Sequence, residues 1–90
     1  MSFSKEQAVA AAKKDLAKRL GLSESEIQES VEDADFPNMA LGAGIKGEMS
    51  GQMITPGWRI RLKTGAQNVE YRANKNQLRL YNFRGQNYRI

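Results

Sequence analysis

Six residues in the final third of the chain, Arg59, Arg61, Lys63, Arg72, Arg79 and Tyr81, have the types and the spacing to hold a negatively charged partner. Arg59, Arg61 and Lys63 alternate with Trp58, Ile60 and Leu62. In an extended strand that alternation sends the three cations to one side and the three apolar side chains to the other. Arg72 alternates with Tyr71 and Ala73, and Arg79 and Tyr81 with Leu78 and Leu80, so the same separation is expected in two further strands. Guanidinium groups meet carboxylates through two parallel N–H donors, which suits an acidic protein surface. The same charges neutralise phosphate, and Tyr81 offers a ring on which an unpaired base can stack. The glycine-flanked aromatic signature of RNA-binding sheets is missing, however. The expected function is a small non-catalytic binding or accessory module that docks an acidic protein surface through a basic sheet face. RNA or single-stranded DNA binding through the same face is the alternative.

Other chemistry is largely excluded by composition. The chain has no His and no Cys, which removes disulfides, thiolate nucleophiles, imidazole bases and nearly every zinc or copper site. Glu24, Glu26, Glu29, Glu32, Asp33 and Asp35 form an acidic cluster without the Asp-x-Asp-x-Asp-Gly pattern of a calcium loop. It reads as a solvated face, or as a surface that meets the basic sheet of a second copy in self-association. Gly42-Ala43-Gly44-Ile45-Lys46-Gly47 matches the dinucleotide-binding glycine pattern by letter. Gly51 and Pro56 deny the helix that must follow, and no acid stands at the ribose-binding distance. Every Asp and Glu lies in a polar stretch, whereas acid–base catalysis needs a carboxyl tuned by burial in a cleft. No enzyme activity, cofactor or metal is expected.

Charge is split along the chain. Residues 1–57 carry six Lys and Arg against nine Asp and Glu, net −3, whereas residues 58–90 carry eight against Glu70 alone, net +7. An asymmetry of this kind points to an acidic partner for the second half. Exposed strand faces also carry Lys and Arg simply to discourage edge pairing. No stretch has the length and apolarity of a signal peptide or a membrane span, so a cytoplasmic protein without membrane association is expected.

The elements that must position these residues follow from local signals. Ser4 and Gln7 have the spacing of a capping box, which starts a helix near Lys5. Val9, Ala12, Leu16 and Leu20 recur at helical spacing up to Gly21, a left-handed stop. Ser23 to Glu26 repeats the box but is followed by too little apolar sequence for more than one turn. A strand is expected over 28–35, ended by Pro37. Residues 37–51 contain Pro37 and four glycines and read as a long loop that Met39, Leu41, Ile45 and Met49 could tack to the core. The role of the glycine-rich part, 38–51, does not follow from its residues. Thr64-Gly65-Ala66-Gln67-Asn68 and Asn74-Lys75-Asn76-Gln77 are turns, and Tyr88 and Ile90 suggest a short extra strand in the tail.

One domain, 1–90, of the α+β class is the simplest assembly, with the N-terminal helix packed on one face of a three- to four-stranded antiparallel meander. The opposite face is expected to be open to water, with Glu70 the single anion among its cations.

With these elements placed, the chain resembles a small uncharacterised bacterial domain of cyanobacterial type whose function is unknown. That domain shows a helix with a Leu-Arg-Leu-Gly type stop, an aromatic-Pro-Asp/Asn step, a Leu-Gly-Cys-Pro loop and a Gln-Val-x-Thr-Pro-Gly-aromatic lead into an alternating strand. The corresponding residues are Lys18-Arg19-Leu20-Gly21, Phe36-Pro37-Asn38, Leu41-Gly42 and Gln52-Met53-Ile54-Thr55-Pro56-Gly57-Trp58. Ala43 and Gly44 stand where that domain has cysteine and proline. The resemblance implies the fold, supplies no catalytic residue, and through the missing cysteine is compatible with a reducing compartment.

Overall fold

The computed structural model describes residues 2–65 and 67–90. Ala66, expected in the turn after the strand that begins near Trp58, lies outside them, as does Met1.

Helix α1 spans Lys5–Leu20. Ser4 Oγ accepts from the Gln7 N–H at 3.1 Å, and Gln7 Oε1 accepts from the Ser4 N–H at 2.9 Å. The reciprocal pair satisfies two donors that a helix start leaves unpaired. At the other end Gly21 takes φ 67°, its N–H donates to the Ala17 carbonyl, and the Leu22 N–H follows at 2.9 Å. Ala8, Val9, Ala12, Leu16 and Ala17 form the buried face. The second capping box produces a single 3-10 turn, Glu24–Glu26, as its short apolar follow-on predicts.

Five strands complete the chain: β1 Gln28–Phe36, β2 Thr55–Lys63, β3 Asn68–Asn74, β4 Gln77–Phe83 and β5 Gln86–Arg89. They pair in sequence order, all antiparallel, so the sheet is a meander as expected but has five strands rather than three to four. The strand beyond that count is β5, the short tail strand that Tyr88 and Ile90 suggest; Tyr88 lies in it and Ile90 follows it. Its turn uses Asn82 and Arg84 in left-handed geometry, φ 48° and 54°, with Gly85 at 83° and a register shift between Leu80 and Phe83. An arginine in such a position is no turn signal, which is why the strand is faint in the sequence.

The register carries the core. Ile60 faces Tyr71, Tyr71 faces Leu80, and Leu80 faces Tyr88, so one row of side chains crosses four strands beneath α1. Leu16, Ile60, Leu62, Tyr71, Ala73 and Leu80 are essentially fully buried there, and Trp58 packs partly buried at the margin. Tyr71 brings a hydroxyl into this layer, and Asp15 accepts its proton at 2.6 Å while also pairing with Arg19 Nε at 2.7 Å. Burial, and then the bond to Asp15, pushes the Tyr71 hydroxyl above the ordinary phenol range.

The other face departs from expectation. It is only partly open: residues 39–48 fold back across it and bond to Arg72, Gln77, Arg79 and Asn87 of β3 to β5, leaving the Arg61 and Lys63 end uncovered. Of the four proposed anchors only Leu41 is fully buried, joined by Ala40 and Ala43; Met39 is half exposed and Met49 almost entirely so. Phe36, at the end of β1, lies buried against the same face. Gly57 makes room for it, since a Cβ there would land on the Ala73 carbonyl oxygen and 3.2 Å from the Phe36 ring.

Candidate binding surface on the outer face of the sheet

Cross-strand partners point to the same side of a sheet, so the register defines rows on the outer face. One row runs Glu32, Arg59, Arg72, Arg79, Arg89 across all five strands. The next holds Ser30, Arg61, Glu70 and Tyr81, and the one beyond it Gln28, Lys63 and Asn68. All six residues singled out by type and spacing therefore share one face.

Four arginines in direct opposition repel one another, and three carboxylates offset this by sitting between pairs. Glu32 reaches Arg61 at 3.0 Å and Arg59 at 3.5 Å. Glu70 reaches Arg72 at 2.7 Å and Arg59 at 3.4 Å. Glu48, from the covering loop, meets both Nη atoms of Arg79 at 2.7 Å and approaches Arg89 at 3.9 Å. The expectation that Glu70 stands alone is thus corrected: a neighbouring strand and the loop each add an acid. Aromatic rings fill the gaps. The Arg72 guanidinium lies 3.6 Å from the Tyr81 ring centre and 5.2 Å from that of Phe36, which Arg59 also approaches at 5.8 Å.

The loop is held by its carbonyls. Gln77 Nε2, Arg72 Nη1, Arg79 Nη1 and Asn87 Nδ2 donate to the carbonyls of Met39, Leu41, Ala43 and Gly44 at 2.7, 3.0, 3.2 and 2.8 Å. Asn38 Oδ1 orders the turn from within by accepting from the Ala40 and Gly42 N–H groups, both at 3.0 Å. This places Leu41 at φ 59° with its side chain turned into the face. The bidentate bond from Arg79 holds the Glu48 carboxyl down at about 2, against the opposing effect of burial and with help from the Ile45 N–H.

Access divides the six residues. Arg79 is 4% exposed and Arg72 13%, so neither presents its charge to solvent. Tyr81 is partly buried, with Arg72 against its ring. Arg59 is 28% exposed, whereas Arg61 is 59% exposed and Lys63 is exposed and without an ion pair among the described residues. Beside these last two lies an open depression of about 410 Å³ lined by Gln28, Ser30, Arg61, Lys63, Asn68 and Glu70, among others.

Glu32, Glu48, Phe36, Gln77 and Asn87 complete the layer and were not singled out by sequence. Glu32 was legible in principle, since it shares the parity of Ala34 and Phe36 in β1. Glu48 was legible only as an acid inside the loop. Among the described residues no three or more His, Cys, Asp or Glu gather in a way that could hold a metal ion, and no helix is long and apolar enough to cross a membrane.

The family described as Domain of unknown function (DUF8738) matches residues 9–81. The chain belongs to this family. The match takes in most of α1, the covering loop and β1 to β3 with most of β4, so the arginine row up to Arg79 lies inside the DUF8738 region and Arg89 outside it. No curated protein and no solved structure matches the chain.

Proposed function

We propose that this DUF8738 chain is a non-catalytic binding module that docks an acidic protein surface through the uncovered end of its outer face. The observation that carries the reading is the contrast within one row system: Arg72 and Arg79 are covered, while Arg61 and Lys63 stand exposed beside the 410 Å³ depression. Arg61 and Lys63 make the contact, and Arg59 supports them from the margin. Arg72 and Arg79 act from beneath by fixing the loop. The Arg61 pair with Glu32 is solvent-exposed, so exchanging it for a partner carboxylate costs little. A cytoplasmic location goes with this reading, since at Ala43 the chain lacks the cysteine of the bacterial domain it resembles.

The nucleic-acid alternative requires Tyr81 as a free stacking platform, and Arg72 already lies on that ring. Titration with a glutamate-rich peptide and with a labelled single-stranded oligonucleotide, each at low and moderate salt, separates the two. Binding of the acidic peptide that weakens with salt and disappears in Arg61→Glu with Lys63→Glu is expected. Oligonucleotide binding without peptide binding would replace this reading by the alternative.

A further inference from the structure

Two exposed features border the outer face, and they are contiguous. The first is the free edge of β1. All nine residues pair with β2 in unbroken register, and among the described residues no other hydrogen bond reaches the β1 backbone. Its outward N–H and C=O groups are therefore available to a further strand. Edges are commonly blunted by charged side chains, lysine above all, by proline or by a bulge; Gln28–Phe36 has no lysine, proline or bulge, and its charges are all negative, so they oppose an acidic strand and not a basic one. These carboxylates are Glu29, Glu32, Asp33 and Asp35. Asp33 is 80% exposed with Lys5 at 3.0 Å, and Asp35 has no ion pair among the described residues.

The second feature is an open groove of about 870 Å³ at the far end of β1, lined by Asp33, Asp35, Met39, Met53, Ile54 and Trp58, among others. Met39, Met53 and Ile54 are 50, 66 and 70% exposed. Adaptable methionines and an isoleucine grouped in water mark a surface awaiting an apolar side chain. In the β1–β2 register Asp33 stands directly across from Trp58 and Asp35 from Pro56, so both carboxylates flank the groove from one side.

Charge chooses between occupants. A second copy pairing β1 against β1 would bring acidic strands into direct opposition, which is destabilising. A strand carrying lysine or arginine gains from the same carboxylates. We infer that β1 is an augmentation edge: it accepts an extended segment of a partner protein, with basic side chains at alternate positions facing Asp33 and Asp35 and a large apolar side chain seated over Met53, Ile54 and Trp58. Main-chain bonds give the affinity, and the carboxylates and groove select the sequence. The half of this surface that selects the sequence, Asp33, Asp35 and the groove, lies at the opposite end of β1 from the depression beside Arg61 and Lys63, so either reading can fail without the other.

The probe is a synthetic peptide of alternating lysine and valine ending in leucine, followed by the fluorescence of Trp58, the chain's one tryptophan, and by amide exchange along β1. Two control peptides replace lysine by glutamate or methylate alternate backbone nitrogens. The lysine peptide is expected to shift Trp58 emission and slow exchange in Gln28–Phe36. Its binding should weaken about tenfold or more in Asp33→Lys with Asp35→Lys, fail on N-methylation, and persist in Arg61→Glu with Lys63→Glu. Binding no tighter than that of the glutamate peptide, indifference to N-methylation or to the aspartate reversal, or dimerisation of the chain through β1 would overturn the inference.

Discussion

The two faces of the sheet are covered by different chemistry, the inner one throughout and the outer one only over Arg72 and Arg79. Beneath α1 the closure is apolar: Ile60, Leu62, Tyr71 and Leu80 pack on Val9, Ala12 and Leu16, with Asp15 taking the hydroxyl of Tyr71. Under the loop the covering is polar: the guanidinium groups of Arg72 and Arg79, Glu48, Glu70 and two rings interlock, and backbone carbonyls replace the waters that an open arginine row would keep. Alternation with period two fixes which side chains share a face. Whether that face meets water is decided by a segment remote in sequence.

If the polar layer is structural, removing its pivot should hurt as much as hollowing the core. Glu48→Ala leaves Arg79 buried without a carboxylate, with only Gln77 Oε1 and the Ala43 carbonyl to accept from it, and is expected to lower stability by up to about 3–5 kcal/mol. Leu80→Ala, in the opposite layer, is expected to cost about 2–5 kcal/mol. Urea unfolding of the two variants beside the parent chain makes the comparison; a Glu48→Ala loss below about 1 kcal/mol would put the loop outside the cooperative structure. Gly57→Ala sharpens it, because the added methyl strikes the Ala73 carbonyl and the Phe36 ring on the outer side only. A loss of about 1–3 kcal/mol is expected, with α1 unchanged by circular dichroism.

Acid acts on the outer layer through Glu48. The Glu48 carboxyl is held down at about 2, below its ordinary 4.5, so its contribution is present above the unfolded value and is lost as pH falls from about 4.5 through about 2. Unfolding midpoints across that window should fall more for the parent chain than for Glu48→Gln. The smallest effect belongs to the exposed end. Arg61→Ala is expected to change stability by less than about 0.5 kcal/mol, since its pair with Glu32 is surrounded by water, while weakening the acidic-peptide binding.

Much of the fold was legible because its signals are local. Ser4 with Gln7, Gly21, and the alternation in β2 to β4 each specify their own geometry, and the register follows from the apolar face. The outer layer was not, for a physical reason: an arginine reads the same in sequence whether water or a Leu41 carbonyl takes its protons. Leu41 stood among the expected anchors, but its burial depends on a left-handed backbone that Asn38 imposes from three residues away. The shared face of Arg59, Arg61, Lys63, Arg72 and Arg79 was foreseeable. Its division into covered and exposed members was not, because most of the loop's large apolar residues stay exposed and its hold on the arginines comes from backbone carbonyls and a single acid, Glu48.

Amide hydrogen exchange over residues 38–48 bears most directly on the claim that the loop covers Arg72 and Arg79. The account predicts slowed exchange at Leu41, Ala43 and Glu48, whose N–H groups donate to the carbonyls of Asn38, Ala40 and Ile45, and loss of that protection in Glu48→Ala. Exchange at unstructured rates throughout 38–48 in the parent chain would contradict it and return Arg72 and Arg79 to solvent.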